Sequence, residues 1–155
     1  MKQNFILVFI LLATLSIVNA QLHKRATKFG PCRLSPPVSH FTTITLSPDP
    51  ITLGKNVSVT LTEKLDKDIP ASSKDVLQVL FLDSYNIPSD LFSIDLCTAT
   101  GIKCPIPQGT EISTTVSVLV PGAEDLPKGS TIEVSVREKG AEVDFIICSL
   151  SDPIS

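Results

Sequence analysis

Polar and apolar positions alternate with a period of two along much of the chain beyond residue 40, the repeat of a β-strand that buries one face. In residues 55–62, Val57, Val59 and Leu61 fall on one parity, and Ser58, Thr60 and Thr62 on the other. Residues 131–138 repeat the pattern, with Ile132, Val134 and Val136 set against Glu133, Ser135 and Arg137. Residues 111–120 place Ile112, Val116, Val118 and Val120 on one face, and residues 142–150 do the same with Val143, Phe145 and Ile147. Residues 41–47 are β-branched and aromatic, and residues 91–96 form a shorter run. Residues 76–85 are apolar with little alternation. Their β-branched and aromatic content predicts a buried strand, although periodicity alone leaves a helix open.

Turn residues separate these runs. Pro48-Asp49-Pro50, the charged and Pro70-containing stretch 65–74, Asn86 to Pro88, Pro121-Gly122, Pro127-Lys128-Gly129 and Lys139-Gly140 each interrupt the pattern. About seven short strands, and no helical pattern of comparable length, predict an all-β fold: an immunoglobulin-like antiparallel β-sandwich. The chain has no tryptophan, so it lacks the Cys-Trp-Cys core signature of a true immunoglobulin domain.

Residues 1–20 have a different character. Lys2 precedes an apolar run from Phe5 to Val18, and Val18-Asn19-Ala20 supplies small residues for cleavage, which predicts a secretory signal peptide. Thr14, Ser16 and Asn19 break the run short of a membrane span. Residues 21–28 read as an N-terminal segment or short pro-segment, with Lys24-Arg25 either a dibasic processing site or, the reading slightly preferred, two charges on an ordinary terminus. The expected location is secreted or lumenal, vacuolar or lysosomal. With Lys2 removed the net charge goes from −3 to −4, which offers no footprint for nucleic acid. Asn56-Val57-Ser58 is an N-glycosylation sequon.

Cys32, Cys97, Cys104 and Cys148 allow three pairings. Cys97 and Cys104 flank a loop containing Gly101 that can fold back on itself, which leaves Cys32 for Cys148. A metal site is disfavoured because no C-x-x-C pair is present. No catalytic centre emerges either. His23 and His40 are the only histidines, and no Ser or Cys has an evident paired base.

Several features occur together and in order: Cys32 after Gly30-Pro31, the Leu46-Ser47-Pro48-Asp49-Pro50 turn, Gly54 before an alternating strand, Asp95-Leu96-Cys97 followed by Cys104-Pro105-Ile106 and Gly109, then Pro121, Pro127-Lys128-Gly129 and Cys148. The set resembles the ML domain, a family of secreted lipid-recognition proteins that includes the Niemann-Pick type C sterol carrier and fungal phosphatidylglycerol/phosphatidylinositol transfer proteins. The resemblance implies a domain over residues 29–152 and a two-sheet sandwich holding a lipid between its sheets. It also implies disulfides Cys32–Cys148 and Cys97–Cys104, and no cofactor. The chain lacks the sterol carrier's extra short-range cysteine pair, and residues 65–75 lack the glycine expected there, so the lipid's identity stays open. The expected partners are a phospholipid or sterol and a transient membrane contact, the protein acting as a monomer that transfers lipid. The rival expectation is a secreted protein-binding sandwich without transfer activity.

Few aromatic residues are available to fill the interior, and Phe5 and Phe9 of the seven Phe lie in the leader. An aliphatic interior leaves room for an acyl chain or sterol, each buried methylene contributing about 0.8 kcal/mol. The candidate lipid-lining residues are Val59, Leu61, Val79, Phe81, Val116, Val118, Val134, Val136, Phe145 and Ile147. Tyr85 and Lys103 are candidates for a polar head group at the mouth.

Overall fold

The computed structural model describes residues 26–32, 42–139 and 145–154. The leader, Lys24-Arg25, both histidines, Phe41, Gly140 and Val143 lie outside them. Among the described residues, eight strands form two antiparallel sheets. β1 (Phe29–Pro31), β8 (Phe145–Ser151), β7 (Thr131–Glu138), β4 (Asp75–Leu82) and β5 (Pro88–Asp95) make a five-stranded sheet in that spatial order. β2 (Thr43–Ser47), β3 (Asn56–Lys64) and β6 (Glu111–Leu119) make the second.

The period-two pattern translates directly into faces. In β3 the buried residues are Val57, Val59, Leu61 and Glu63, and in β6 Ile112, Thr114, Val116 and Val118. These positions face Leu77, Val79 and Phe81 of β4 and Ile132, Val134 and Val136 of β7 across one continuous apolar core. Residues 75–82 are a strand, not a helix, buried along their whole length because β4 is flanked by β5 and β7. The strand missing from the sequence reading is β1, three residues containing Gly30 and Pro31, whose pairing with β8 no local periodicity announces.

One expected face is corrected. A bulge interrupts the β7–β8 ladder between Val136 and Arg137, so Val136 pairs with Ile147 but Arg137 pairs with Phe145. The extra residue, Ile146, joins the core, and Phe145 turns to the outer face beneath the Arg137 guanidinium, 6.0 Å from its ring centre.

Two disulfides brace the fold. Cys32–Cys148 ties the end of β1 to β8 across 116 residues, and Cys97–Cys104 closes a loop across 7. Thr27 adds hydrogen bonds to the Asp49 carboxylate, and Lys28 and Asp152 exchange a pair. Beside the long-range disulfide, Glu133 lies half-buried on the outer face, opposite Leu80 and Leu150. Loss of solvation raises its pKa above the ordinary 4.5, with Ser135 and Arg137 pulling the other way. The Ser135 hydroxyl makes no hydrogen bond of ordinary geometry among the described residues, and burial dominates the shift.

Two outcomes follow. In the chain-entropy model, closing the 116-residue loop contributes about 5 kcal/mol and the 7-residue loop about 2.4 kcal/mol. Denaturant unfolding should therefore show Cys32→Ser/Cys148→Ser to be less stable than Cys97→Ser/Cys104→Ser; the reverse order would contradict this account. For Glu133, the folded state holds its proton to higher pH than the unfolded state, so the associated stability is present in acid and lost as pH rises through the raised value. Measured from about pH 4 to about pH 7, wild type should lose stability relative to Glu133→Gln; a difference that does not change with pH would remove the assigned cause.

Candidate functional site

Nine of the ten residues expected to line a lipid site share the interior: Val59, Leu61, Val79, Phe81, Val116, Val118, Val134, Val136 and Ile147. They come from β3, β4, β6, β7 and β8, so both sheets contribute. Phe145 does not join them, for the bulge described above. The same interior takes in Ile44, Leu77, Ile132 and Ile146, with Phe92 and Ile94 packed against it. Leu77 shares parity with Val79 and Phe81 and was open to inference. Ile69, Ile102 and Ile106 are also core, but they sit in connections where no period marks them.

The disulfide loop closes one end of this interior. Asp95 accepts a hydrogen bond from the Cys97 amide at 2.9 Å and starts a single 3-10 turn over Leu96–Thr98. Leu96, Ala99, Ile102 and Ile106 then point into the core while the polar residues between them face solvent. Gly101 has φ 83, and a Cβ there would lie 3.1 Å from the Ser113 carbonyl oxygen, so this position accommodates only glycine without displacement.

At the same end, the two sheets meet around a polar group the sequence reading passed over. Glu63 continues the inward parity of Val59 and Leu61 and is 4% exposed. Its carboxylate accepts a hydrogen bond from Thr42 Oγ1. Thr42, Glu63, Leu65, Ile146 and Ile147, with Lys64 and Asp66 toward solvent, line a cavity of about 10 Å³, room for about one water. Thr114 lies opposite Leu61 in the β3–β6 ladder, so it is the diagonal neighbour of Glu63 on the inward face. It is 3% exposed, and its hydroxyl has no hydrogen-bond partner among the described residues. Leaving such a group unsatisfied costs about 1–3 kcal/mol. Gln78, Thr131 and Ser135 also bury a side-chain oxygen without a partner, but all three lie on the outer parity of the five-stranded sheet. Extending the period-two count by one step in β3, and filling the gap between Ile112 and Val116 in β6, would have found both interior residues.

A larger hollow, of about 360 Å³, lies outside the sandwich between the 67–75 segment and Glu138. Lys67, Asp68, Lys74, Asp75 and Glu138 line it, so it offers mixed charge and little surface for an aliphatic chain.

Tyr85 and Lys103 are both exposed but do not flank one opening. Tyr85 sits in the β4–β5 turn and Lys103 in the loop after β5, so the length of an eight-residue strand, roughly 26 Å, separates them. Lys103 shares the Glu63 end. The opposite end carries Tyr85 and Ile87, 82% and 60% exposed, with Leu53 and Leu119 also exposed on the other sheet. Asn56 is exposed there as well, paired with Leu119 at the start of β3. Among the described residues, Cys32, Glu133 and Cys148 bring three potential ligand atoms within 4.8 Å of one another, but the two sulfurs are bonded together.

No curated protein sequence matches the chain. Among solved structures, a Niemann-Pick type C2 protein from the Japanese carpenter ant is 19% identical, with a TM-score of 0.51, the match covering 86% of this chain and 96% of the ant protein. Chicken MD-1, solved in complex with lipid IVa, is 12% identical, with a TM-score of 0.51, the match covering 83% of this chain and 88% of the chicken protein. At these identities the likeness is one of fold. A family model described as ML domain matches residues 26–152, from before β1 to beyond β8, and so spans both sheets and both disulfides. The chain therefore belongs to the ML domain family.

Proposed function

We propose that this protein binds a lipid between its two sheets and transfers it between membranes. The observation that carries the reading is the way the sheets are joined. No strand pairing crosses from one sheet to the other among the described residues, and neither disulfide does: Cys32 and Cys148 both belong to the five-stranded sheet, and Cys97 and Cys104 to a single loop. Side-chain contact between aliphatic faces holds the sheets together, and an acyl chain or sterol presents the same kind of surface. Replacing one contact by the other conserves apolar burial and breaks no ladder hydrogen bond. The edge where Thr42 and Glu63 meet Ile146 and Ile147 is a place where parting can begin. Membership of the ML domain family and the lipid IVa bound to chicken MD-1 support the same reading.

Binding of this kind needs no catalytic group. Delivery needs a surface that meets a bilayer, and the exposed Leu53, Tyr85, Ile87 and Leu119 at the end away from the disulfide loop supply one. A processed, secreted or lumenal monomer fits this role, with Asn56 as a glycan acceptor beside the apolar end.

Native mass spectrometry of the protein secreted from a eukaryotic host, with extraction of bound lipid, tests the reading directly. The expected result is a stoichiometric phospholipid or sterol adduct; a bare mass unchanged by mixed liposomes would overturn it and favour a protein-binding sandwich. For delivery, Tyr85→Ser/Ile87→Ser should slow transfer between vesicles by about tenfold while leaving the adduct intact, since both side chains are exposed and outside the core. Unchanged transfer would remove the assigned surface.

A further inference from the structure

We propose that the apolar end of the sandwich docks on bilayers whose surface carries no net negative charge, such as phosphatidylcholine, and is repelled by anionic ones. This rests on the membrane-contact reading above and narrows it to one class of surface.

Three connections converge at this end. The Gly54 amide in the β2–β3 turn donates to the carbonyls of Val120 and Pro121, at 3.0 and 3.2 Å, which ties that turn to the β6–β7 connection. The same connection reaches the β4–β5 turn, since a Cβ built on Gly129 would lie 3.6 Å from the Ser84 Cβ. Leu53, Leu119, Tyr85 and Ile87 are thereby exposed together at one end of the molecule. The β4–β5 turn is itself built on a carboxylate. Asp83 accepts hydrogen bonds from the Tyr85 and Ile87 amides, both at 2.8 Å, and Asn86 between them takes a φ of 62. The side chains that would enter a bilayer are therefore presented by an acidic group.

The surrounding residues add to that charge. Glu124 and Asp125 are exposed in the β6–β7 connection and Asp90 near the start of β5, against Lys55 and Lys128. With Asp83 this makes four carboxylates to two ammonium groups around the apolar side chains, among the described residues. Burial of the apolar surface favours contact with any bilayer. An anionic bilayer attracts basic groups and repels carboxylates within about a Debye length, about 8 Å at physiological ionic strength, so it opposes this end. Phosphatidylcholine carries no net charge and leaves the apolar gain unopposed. The negative surface potential of a cell membrane belongs to the cytoplasmic leaflet, so a secreted or lumenal carrier would meet the kind of surface that this end tolerates.

The test measures binding of the full secreted protein to vesicles of phosphatidylcholine alone and of phosphatidylcholine with about one-third phosphatidylserine. At about 10 mM salt, wild type should bind the neutral vesicles at least about fivefold more tightly, and at about 1 M salt, where the Debye length is about 3 Å, the difference should close. Glu124→Gln/Asp125→Asn removes two charges from the apolar end and should abolish most of the low-salt difference. Glu111→Gln/Glu138→Gln removes two charges from the opposite end, at the start of β6 and the end of β7, and should keep it. All four side chains are exposed, so neither double variant disturbs the core. Equal or tighter binding of wild type to the anionic vesicles would overturn the proposal. So would an equal effect of the two double variants, which would assign the preference to the charge of the whole chain. Failure to bind either vesicle would instead overturn the membrane-contact reading and favour a basic protein partner, whereas a bound lipid seen by native mass spectrometry would still stand.

Discussion

The contact between two aliphatic sheet faces is the interaction on which the rest of this structure depends. Each sheet is internally strong, with antiparallel ladders throughout and a 116-residue disulfide loop closed within the larger one. Between them lie side chains such as Leu61, Phe81, Val134 and Val136, with connecting segments but no shared ladder among the described residues. An immunoglobulin domain pins its two sheets together with a disulfide through the core. Here one disulfide lies within the larger sheet, and the other closes a loop at the end of the interface, where Cys97 and Cys104 pack against the core. The result is two hydrogen-bonded layers joined through side-chain packing and connecting segments.

The two ends of the sandwich differ in kind. One is closed by the Cys97–Cys104 loop, which turns Leu96, Ala99 and Ile102 inward, and beside it the seam carries Glu63 and Thr114. The other ends in exposed apolar side chains on both sheets. The two ends are separated by the length of a strand. Tyr85 and Lys103 illustrate the division, since each is exposed and each belongs to a different end.

Strand parity was legible in the sequence because a half-buried strand imposes a period of two, and every residue assigned inward on β3, β4, β6 and β7 is in the core. The family pattern was legible through cysteines, prolines and glycines, whose backbone and cross-link constraints act at fixed positions. The face of Phe145 was not. A single inserted residue, Ile146, reverses parity beyond it, and a bulge depends on how β7 and β8 pair rather than on either strand alone. β1 was hidden for a related reason: three residues have no period, and only β8 makes them a strand.

The sequence by itself determined which residues seek the interior and which chain segments become strands, because burial preference and side-chain alternation are properties of a local stretch. It did not determine what those faces meet. That Glu63 meets Thr42, Ile146 and Ile147 at one cavity, that Phe145 leaves the core for Arg137, and that Cys32 pairs with Cys148 within one sheet were decided by pairing across dozens of residues. Such pairings are settled by the packing of whole sheets, and only the tertiary structure contains them.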